Sequence, residues 1–231
     1  MKKQLNKDGL KALFGPIIWA IVMAVCFFAA AGRLDIFRAW LFFGVYFMGA
    51  IVGAVIMWKF APGLANQRAF IKEGTKSWDK GFLVIYFSLS LFVFPIVAGL
   101  DVGRFHWSQL GIAYAIGGVV LYIACLVLGY WAMVVNEYFE PTVRIQKDRM
   151  HRVITGGPYR FVRHPGYLAM ILGGLSASFI IGSLWSLVPC TVAILTIVIR
   201  TYLEDRTLQK ELDDYLAYVQ KTRYRLLPGV W

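Results

Sequence analysis

Charged residues are scarce in this sequence. Only 16% of its 231 residues are Asp, Glu, Lys or Arg, whereas 59% are hydrophobic. A soluble domain of this length would carry about a quarter charged residues. Acidic residues are the rarer kind, with 13 Asp and Glu against 24 Lys and Arg, so the formal net charge is +11. The composition excludes an ordinary soluble domain.

Cysteine is scarce as well. Cys26, Cys125 and Cys190 all lie inside apolar runs, and none has a CxxC partner or the spacing of a metal ligand. We interpret them as small packing residues and predict no metal site. The sequence also has no GxGxxG motif, no internal repeat and no low-complexity segment. The cysteines thus give no evidence for a metal-binding module, and the sequence shows no sign of a Rossmann-type nucleotide-binding domain.

Long apolar runs are what the sequence has instead. About 20 apolar residues in a helix cross a bilayer, and four such runs stand at 13–32, 36–58, 82–100 and 110–135. The charge-free stretch 166–199 is too long for one straight span, and Gly182-Ser183 near its middle predicts a turn between two short helices. We therefore predict an all-α polytopic membrane protein with about six transmembrane helices. The first run lacks a convincing cleavage site, so we expect it to be retained.

The basic residues predict the orientation. All but three of the 24 Lys and Arg lie at the N-terminus, in the connections 59–80 and 136–165, or from position 200 onward. The exceptions are Arg33 and Arg38, between the first and second apolar runs, and Arg104, between the third and fourth. The positive-inside rule then places both termini and the 136–165 connection in the cytoplasm, at the inner membrane if the cell is bacterial. The positive excess indicates orientation and headgroup contact with the lipid bilayer, not nucleic-acid binding.

The segment 155–167 is the most polar and aromatic run in the chain. Gly156, Gly157 and Pro158 preclude a regular helix, and Pro165 disfavours helical geometry at His164. The bent segment carries two tyrosines and three basic side chains, Tyr159, Arg160, Arg163, His164 and Tyr167. An apolar run follows at once, so we place this segment at the membrane surface and expect the chemistry there. We accordingly divide one membrane domain into helices over 1–135 and a catalytic region over 136–231.

The stretch 200–218 has helical periodicity. Its apolar stripe comprises Leu203, Leu208, Leu212, Tyr215 and Leu216, with charges on the other face. We predict that the second hairpin helix continues into this amphipathic cytoplasmic helix. Arg200 and Glu204, four residues apart, share one helix face.

The candidate residues follow one another along the chain in a characteristic order. The pattern is Gln146, His151, Gly157-Pro158-Tyr159, Arg163-His164-Pro165-Gly166-Tyr167, Arg200 and Glu204-Asp205, closing with Arg225-Leu226-Leu227-Pro228-Gly229. From residue 136 onward the chain resembles the isoprenylcysteine carboxyl methyltransferase family and its relatives, which include membrane phospholipid methyltransferases. The connection segment Gly74-Thr75-Lys76-Ser77-Trp78-Asp79-Lys80 is similar to bacterial members.

The resemblance implies a membrane enzyme that transfers a methyl group from S-adenosylmethionine, leaves S-adenosylhomocysteine, and acts on a lipophilic membrane-embedded substrate. It implies that the cofactor is held by Gln146, His151, Arg152, Val153, Ile154, Tyr159, His164, Pro165, Gly166, Tyr167 and Glu204. Arg200 corresponds to the substrate side. Two positions depart from the family pattern: Asp205 replaces a second glutamate, and Ala169 stands where glycine is common.

The residue chemistry fits such a cofactor. Tyr159 and Tyr167 offer aromatic faces to adenine or to a sulfonium. Glu204 is suited to the ammonium group of the cofactor and Arg163 to its carboxylate. Arg200, at the membrane boundary, is suited to holding an acceptor carboxylate in line for a displacement that needs no proton removal. We therefore predict Arg200 and Arg163 as the catalytic residues.

Simpler interpretations exist for each group. Arg160 and Arg163 could be ordinary positive-inside residues, Tyr159 and Tyr167 interfacial aromatics, and Arg200 with Glu204 an exposed pair of little energy. The acceptor could be a prenylcysteine carboxylate, a phospholipid amine or a small thiol. From other classes, a transporter would need ionisable groups near the bilayer midplane, and a sterol-type membrane reductase would use a nicotinamide cofactor.

Overall fold

The computed structural model describes residues 4–68 and 71–231, and within these ranges the chain is helical with no strand. Among the described residues, five helices are long and apolar enough to cross a membrane, and a sixth apolar helix is shorter. They are α1 (Lys7–Ala31), α2 (Phe37–Phe60), α3 (Ser77–Phe105), α4 (Ile112–Val135), α5 (Pro165–Ile181) and α6 (Leu187–Glu211). The predicted all-α polytopic architecture is confirmed.

The hairpin between α5 and α6 turns at the predicted position. Gly182 ends α5 with φ 86°, a left-handed conformation that suits glycine. The Arg38 guanidinium lies against Gly182 and donates to the carbonyls of Phe179 at 2.5 Å and Ile180 at 2.8 Å. A side chain at Gly182 would displace this guanidinium, so the glycine both turns the chain and admits a cap for the last carbonyls of α5.

Helix α3 is irregular in its second half. Two segments, Leu89–Val93 and Leu100–Phe105, have the wider π-helical hydrogen bonding. Pro95 lies just after the first segment and has no N–H for the preceding turn. The wide turn before it accommodates that missing bond, as π-bulges do in other helices.

The membrane core draws buried residues from all six helices, α1 to α6. Phe27 of α1 and Ile180 of α5 are fully buried within it. Small residues of α2 admit tyrosines of α4: Gly49 faces the Tyr122 hydroxyl, and Gly53 lies against the Tyr130 hydroxyl. Any side chain at Gly53 would overlap that ring, so close helix approach depends on these glycines.

The polar segments gather at one end of the molecule, as the distribution of Lys and Arg suggests. Asn66 accepts from the backbone N–H of Asn6, and the N–H of Lys76 donates to the Val143 carbonyl at 3.0 Å. At the other end Arg104 approaches Gly32 and Arg38 approaches Gly182. Cytoplasmic exposure of the polar end stays a prediction.

The single helix expected over 200–218 is divided in the structure. Helix α6 ends at Glu211, Asp214 takes a left-handed φ of 63°, and a short helix α7 (Tyr215–Lys221) follows. The chain changes direction at this break, and Leu212 and Tyr215 are buried in one cluster with Tyr159. Leu216, expected on the same stripe, is exposed. Packing against Tyr159 overrides the local helical periodicity.

Candidate functional site

A cavity of about 690 Å³ lies at the polar end of the helices. A second cavity of about 310 Å³ adjoins it between the membrane helices, because Tyr46, Tyr130 and Met170 line both. No Asp, Glu, Lys, Arg or His of the described chain lines the second cavity. Charged side chains line part of the larger cavity, which is called the polar cavity below. The smaller cavity is an apolar chamber inside the helix bundle.

All thirteen residues predicted for the site lie on the wall of the larger cavity. They are Gln146, His151, Arg152, Val153, Ile154, Tyr159, Arg163, His164, Pro165, Gly166, Tyr167, Arg200 and Glu204. Residues 58 positions apart in the sequence thus meet in one place, although their hydrogen bonds differ from those the sequence suggests.

Asp205 is the centre of a buried polar cluster behind the cavity. The residue is fully buried, and its carboxylate accepts from Arg163 Nε at 2.8 Å and Nη2 at 3.0 Å. His164 Nε2 lies 3.2 Å away, and Arg225 Nε donates at 2.8 Å. Asp205 therefore joins the 155–167 segment to α6 and to the C-terminal segment, residues 222–231.

Arg163 is almost wholly engaged by the protein. Besides its two bonds to Asp205, Nη1 donates to the carbonyls of Thr222 at 2.8 Å and Arg223 at 2.7 Å. The backbone nearby is paired too, since the N–H groups of Arg163 and His164 donate to the carbonyls of Tyr224 and Arg225. These bonds leave Arg163 little capacity for the cofactor carboxylate, and they give it a role in holding the C-terminal segment.

Arg200 has a different environment. It is 4% exposed, and it donates from Nε to Asp79 Oδ1 at 2.6 Å and from Nη2 to the Pro141 carbonyl at 2.6 Å. Its guanidinium lies 5.2 Å from the centre of the Tyr167 ring. Nη1 makes no hydrogen bond within the part of the chain that the structure describes. Arg200 is therefore a buried, positioned cation with one donor group still available at the cavity wall.

Asp79 is the partner that sequence reasoning missed. It is fully buried in the first turn of α3, and its Oδ2 accepts from the N–H of Val143 at 2.8 Å. The exposed Arg200–Glu204 pair considered above is not formed, because Arg200 pairs with Asp79 instead. The sequence signal for a buried partner was that an acidic residue stands between Trp78 and Phe82, at the start of an apolar run.

Glu204 reaches the same cavity from α6. Its Oε2 accepts a hydrogen bond from the Tyr167 hydroxyl, and Oε1 has no hydrogen-bond partner among the described residues. Tyr167 in turn stacks on His164, with the ring planes 25° apart. One carboxylate oxygen, an imidazole and a phenol thus share a small region of the wall, where an ammonium group could be received.

The connection before the Gly/Pro segment has its own buried support. Gln146 donates to the Tyr138 carbonyl at 2.7 Å and accepts from Arg149 at 2.7 Å. His151 lies against the Tyr138 ring, with ring centres 4.5 Å apart. Burial, together with the nearby Arg149 charge, lowers the pKa of His151 to about 4. His151 is therefore neutral at physiological pH and is suited to hydrogen bonding.

The following segment, residues 152–154, also lines the cavity. The N–H groups of Arg152, Val153 and Ile154 donate no hydrogen bond to any described residue. Val153 and Ile154 meanwhile pack against the Tyr159 cluster, which fixes the segment. Unpaired N–H groups on a cavity wall are available to a ligand with acceptor atoms, as a nucleoside has.

Tyr159 and Gly166 complete the wall. The Tyr159 hydroxyl accepts from Asn136 Nδ2 at 2.9 Å, and its backbone carbonyl accepts from the Tyr218 hydroxyl at 2.7 Å. Burial raises the pKa of Tyr159, so it is protonated at physiological pH. Gly166 lies against the Phe139 ring, and a methyl group there would overlap the ring. The glycine is therefore required for packing at this position.

The fold and cavities define an all-helical membrane protein that joins a polar site to an apolar chamber within the bundle. Residues 107–214 match the model of a protein family described as phospholipid methyltransferase. That family includes isoprenylcysteine carboxyl methyltransferase-like membrane methyltransferases, so the resemblance found in the sequence is confirmed. The matched region contains every predicted site residue, and it supports a membrane methyltransferase. No curated protein matches the chain.

Proposed function

We propose that the protein transfers a methyl group from S-adenosylmethionine to a lipophilic acceptor that carries a carboxylate, such as an isoprenylcysteine. The observation that supports this most is Arg200, a guanidinium held by Asp79 with Nη1 available at the wall of the polar cavity. A fixed cation at the boundary between a polar and an apolar chamber is suited to a carboxylate on a hydrocarbon tail.

The residues present fit the cofactor. The free N–H groups of 152–154 and the neutral His151 offer hydrogen bonds to a nucleoside, and Glu204 Oε1 offers an acceptor to an ammonium. Tyr159, Tyr167 and His164 supply aromatic surface on the same wall. When bound, S-adenosylmethionine would supply a methyl group on a positively charged sulfur.

The role of the chain in the reaction is alignment. Arg200 would hold the acceptor carboxylate in one orientation, and Asp79 would hold Arg200. A carboxylate nucleophile loses no proton in the displacement, so the site needs no general base for this acceptor. The adjoining apolar chamber would receive the acceptor's hydrocarbon part and exclude water.

A phospholipid amine is the second candidate, favoured by the description of the matched family. An amine acceptor must lose a proton before or during transfer, so its rate would rise with pH through the pKa of the amine. A carboxylate acceptor would show no such rise. The shape of the pH profile therefore separates the two acceptor classes.

A panel assay tests the proposal. Purified protein in nanodiscs receives radiolabelled S-adenosylmethionine and, in parallel, a prenylcysteine, phosphatidylethanolamine and a lipophilic thiol. We expect label to enter the prenylcysteine in a base-labile ester. Label only in the phospholipid would assign the amine reaction. Stabilisation against heat by NADPH, with none by S-adenosylmethionine, would point to a reductase instead.

Orientation is part of the proposal. We infer that both termini and the polar cavity face the cytoplasm, where the cofactor is available, and the distribution of Lys and Arg supports this. Single cysteines at Lys76 and Asp148 in a Cys-free background should resist an impermeant maleimide in intact cells. Labelling of either position from outside would reverse the orientation.

A further inference from the structure

Arg68 lies on the wall of the polar cavity, in the connection between α2 and α3. It follows the one-turn helix Pro62–Ala65, whose Leu64 and Ala65 are buried. Its Nη1 donates to the Phe139 carbonyl at 2.6 Å, and its guanidinium lies 5.3 Å from the centre of the Phe139 ring. The side chain is thus held in a defined place.

Arg68 is half-buried and, among the residues that the structure describes, has no carboxylate counter-ion, unlike the buried arginines of this wall. Arg144 pairs with Glu140 and Asp148, Arg163 with Asp205, and Arg200 with Asp79. No carboxylate of the described chain lies within ion-pair distance of Arg68, and its Nε and Nη2 donate no hydrogen bond there. The nearby Glu140 is already engaged, with Arg144 Nε at 2.7 Å.

The charge persists in this setting. Burial lowers the pKa of Arg68 to about 10, which still leaves the guanidinium protonated at physiological pH. A cation that is partly withdrawn from water and has no partner is unfavourable unless something compensates it. Nε and Nη2 present a two-pronged donor set of the kind that carboxylate and phosphate groups match.

We propose that Arg68 binds an anionic oxygen group, a carboxylate or a phosphate, of a ligand in the polar cavity. The site lies close to the proposed chemistry, because the Phe139 ring contacts both Arg68 and Gly166. This inference rests on the proposed function for the identity of the ligand. Two sources carry the required group: the amino-acid part of the cofactor, whose carboxylate Arg163 has little capacity to bind, and the headgroup of the acceptor.

The first experiment compares Arg68→Met and Arg68→Lys with wild type, and uses the exposed Arg160→Met as the matched loss of one positive charge. Calorimetry measures binding of S-adenosylhomocysteine and of 5′-methylthioadenosine, which lacks the carboxylate. If the anion is the cofactor carboxylate, Arg68→Met should weaken S-adenosylhomocysteine about tenfold or more, leave methylthioadenosine unchanged, and be partly rescued by Arg68→Lys.

The second experiment covers the acceptor and does not depend on methyl transfer. Dodecyl phosphate and the neutral dodecyl maltoside serve as probes, with binding followed by thermal shift in nanodiscs. If the anion belongs to the acceptor, Arg68→Met should lose the dodecyl phosphate shift, while Arg160→Met keeps it and the maltoside response does not change.

The outcomes separate the two proposals. Wild-type protein that binds no S-adenosylhomocysteine contradicts the proposed function, and the dodecyl phosphate arm then still decides the role of Arg68. Unchanged affinity of a folded Arg68→Met for both anionic probes overturns the anion site. If Arg68→Met fails to fold, an Arg68→Lys variant with wild-type affinity for both probes overturns the two-pronged site in its place.

Discussion

Two buried Arg–Asp pairs support this site, and they differ in what they leave unsatisfied. The Arg163–Asp205 pair is closed: Arg163 also binds two backbone carbonyls, and Asp205 also accepts from Arg225, Gln209 and Tyr215. The Arg200–Asp79 pair is open, because Arg200 keeps Nη1 available at the cavity wall.

The difference separates a folding role from a chemical one. A closed pair gives a ligand nothing to bind, so its value lies in tying the C-terminal segment to the 155–167 segment. An open pair supplies a cation whose direction the protein has already set. Both arginines were predicted as catalytic from the sequence, and the geometry favours only Arg200 for that role.

The largest expected effect is on stability, at the closed pair. Asp205→Asn should lower the free energy of unfolding by about 3–5 kcal/mol, because it leaves the buried Arg163 without its anion. Thermal unfolding in detergent measures this, with the exposed Asp213→Asn as the matched control. A stable Asp205→Asn protein would show that the cluster is not what fixes the C-terminal segment.

The next effect is on turnover, at the open pair. Arg200→Lys should reduce kcat about 100-fold, since lysine cannot bond Asp79 and an acceptor together in the two-pronged geometry. Affinity for S-adenosylhomocysteine should stay near that of wild type. Full activity of Arg200→Lys on every acceptor would remove this arginine from the mechanism.

Glu204→Gln should act on binding. The substitution keeps the size of the side chain and its contact with Tyr167 but removes the negative charge that an ammonium needs. We expect about tenfold weaker binding of S-adenosylhomocysteine. The exposed Glu211→Gln, at the end of the same helix, is the control. Equal affinities of the two variants would mean that Glu204 does not receive the ammonium.

The smallest expected effect is a pH dependence from His151. Burial lowers its folded pKa to about 4 from an ordinary value near 6.5, so the unfolded chain binds more protons between those values. The His151 contribution to stability is therefore complete above pH 6.5 and decreases as the pH falls toward 4. The difference in melting temperature between wild type and His151→Gln should therefore grow as the pH rises from about 4 to about 6.5 and stay constant above that. A constant difference across pH 4–8 would contradict the burial of a neutral His151.

The membrane helices were predictable because hydropathy and length decide them. The turn at Gly182 was predictable from its residue type, and the wall residues from their order along the chain. Partner choice was not predictable. Arg200 pairs with Asp79, which lies 121 residues earlier, and only the docking of α3 against α6 brings the two together. The break after Glu211 was missed for the same reason, since it depends on the Tyr159 cluster.

The most direct test is calorimetric titration of the folded wild-type protein in nanodiscs with S-adenosylhomocysteine. We predict saturable binding at one site per chain, weakened by Glu204→Gln and retained by Arg200→Lys. Protein with a cooperative thermal transition that gives no binding heat at any temperature tried, and no thermal shift with the same ligand, would contradict it.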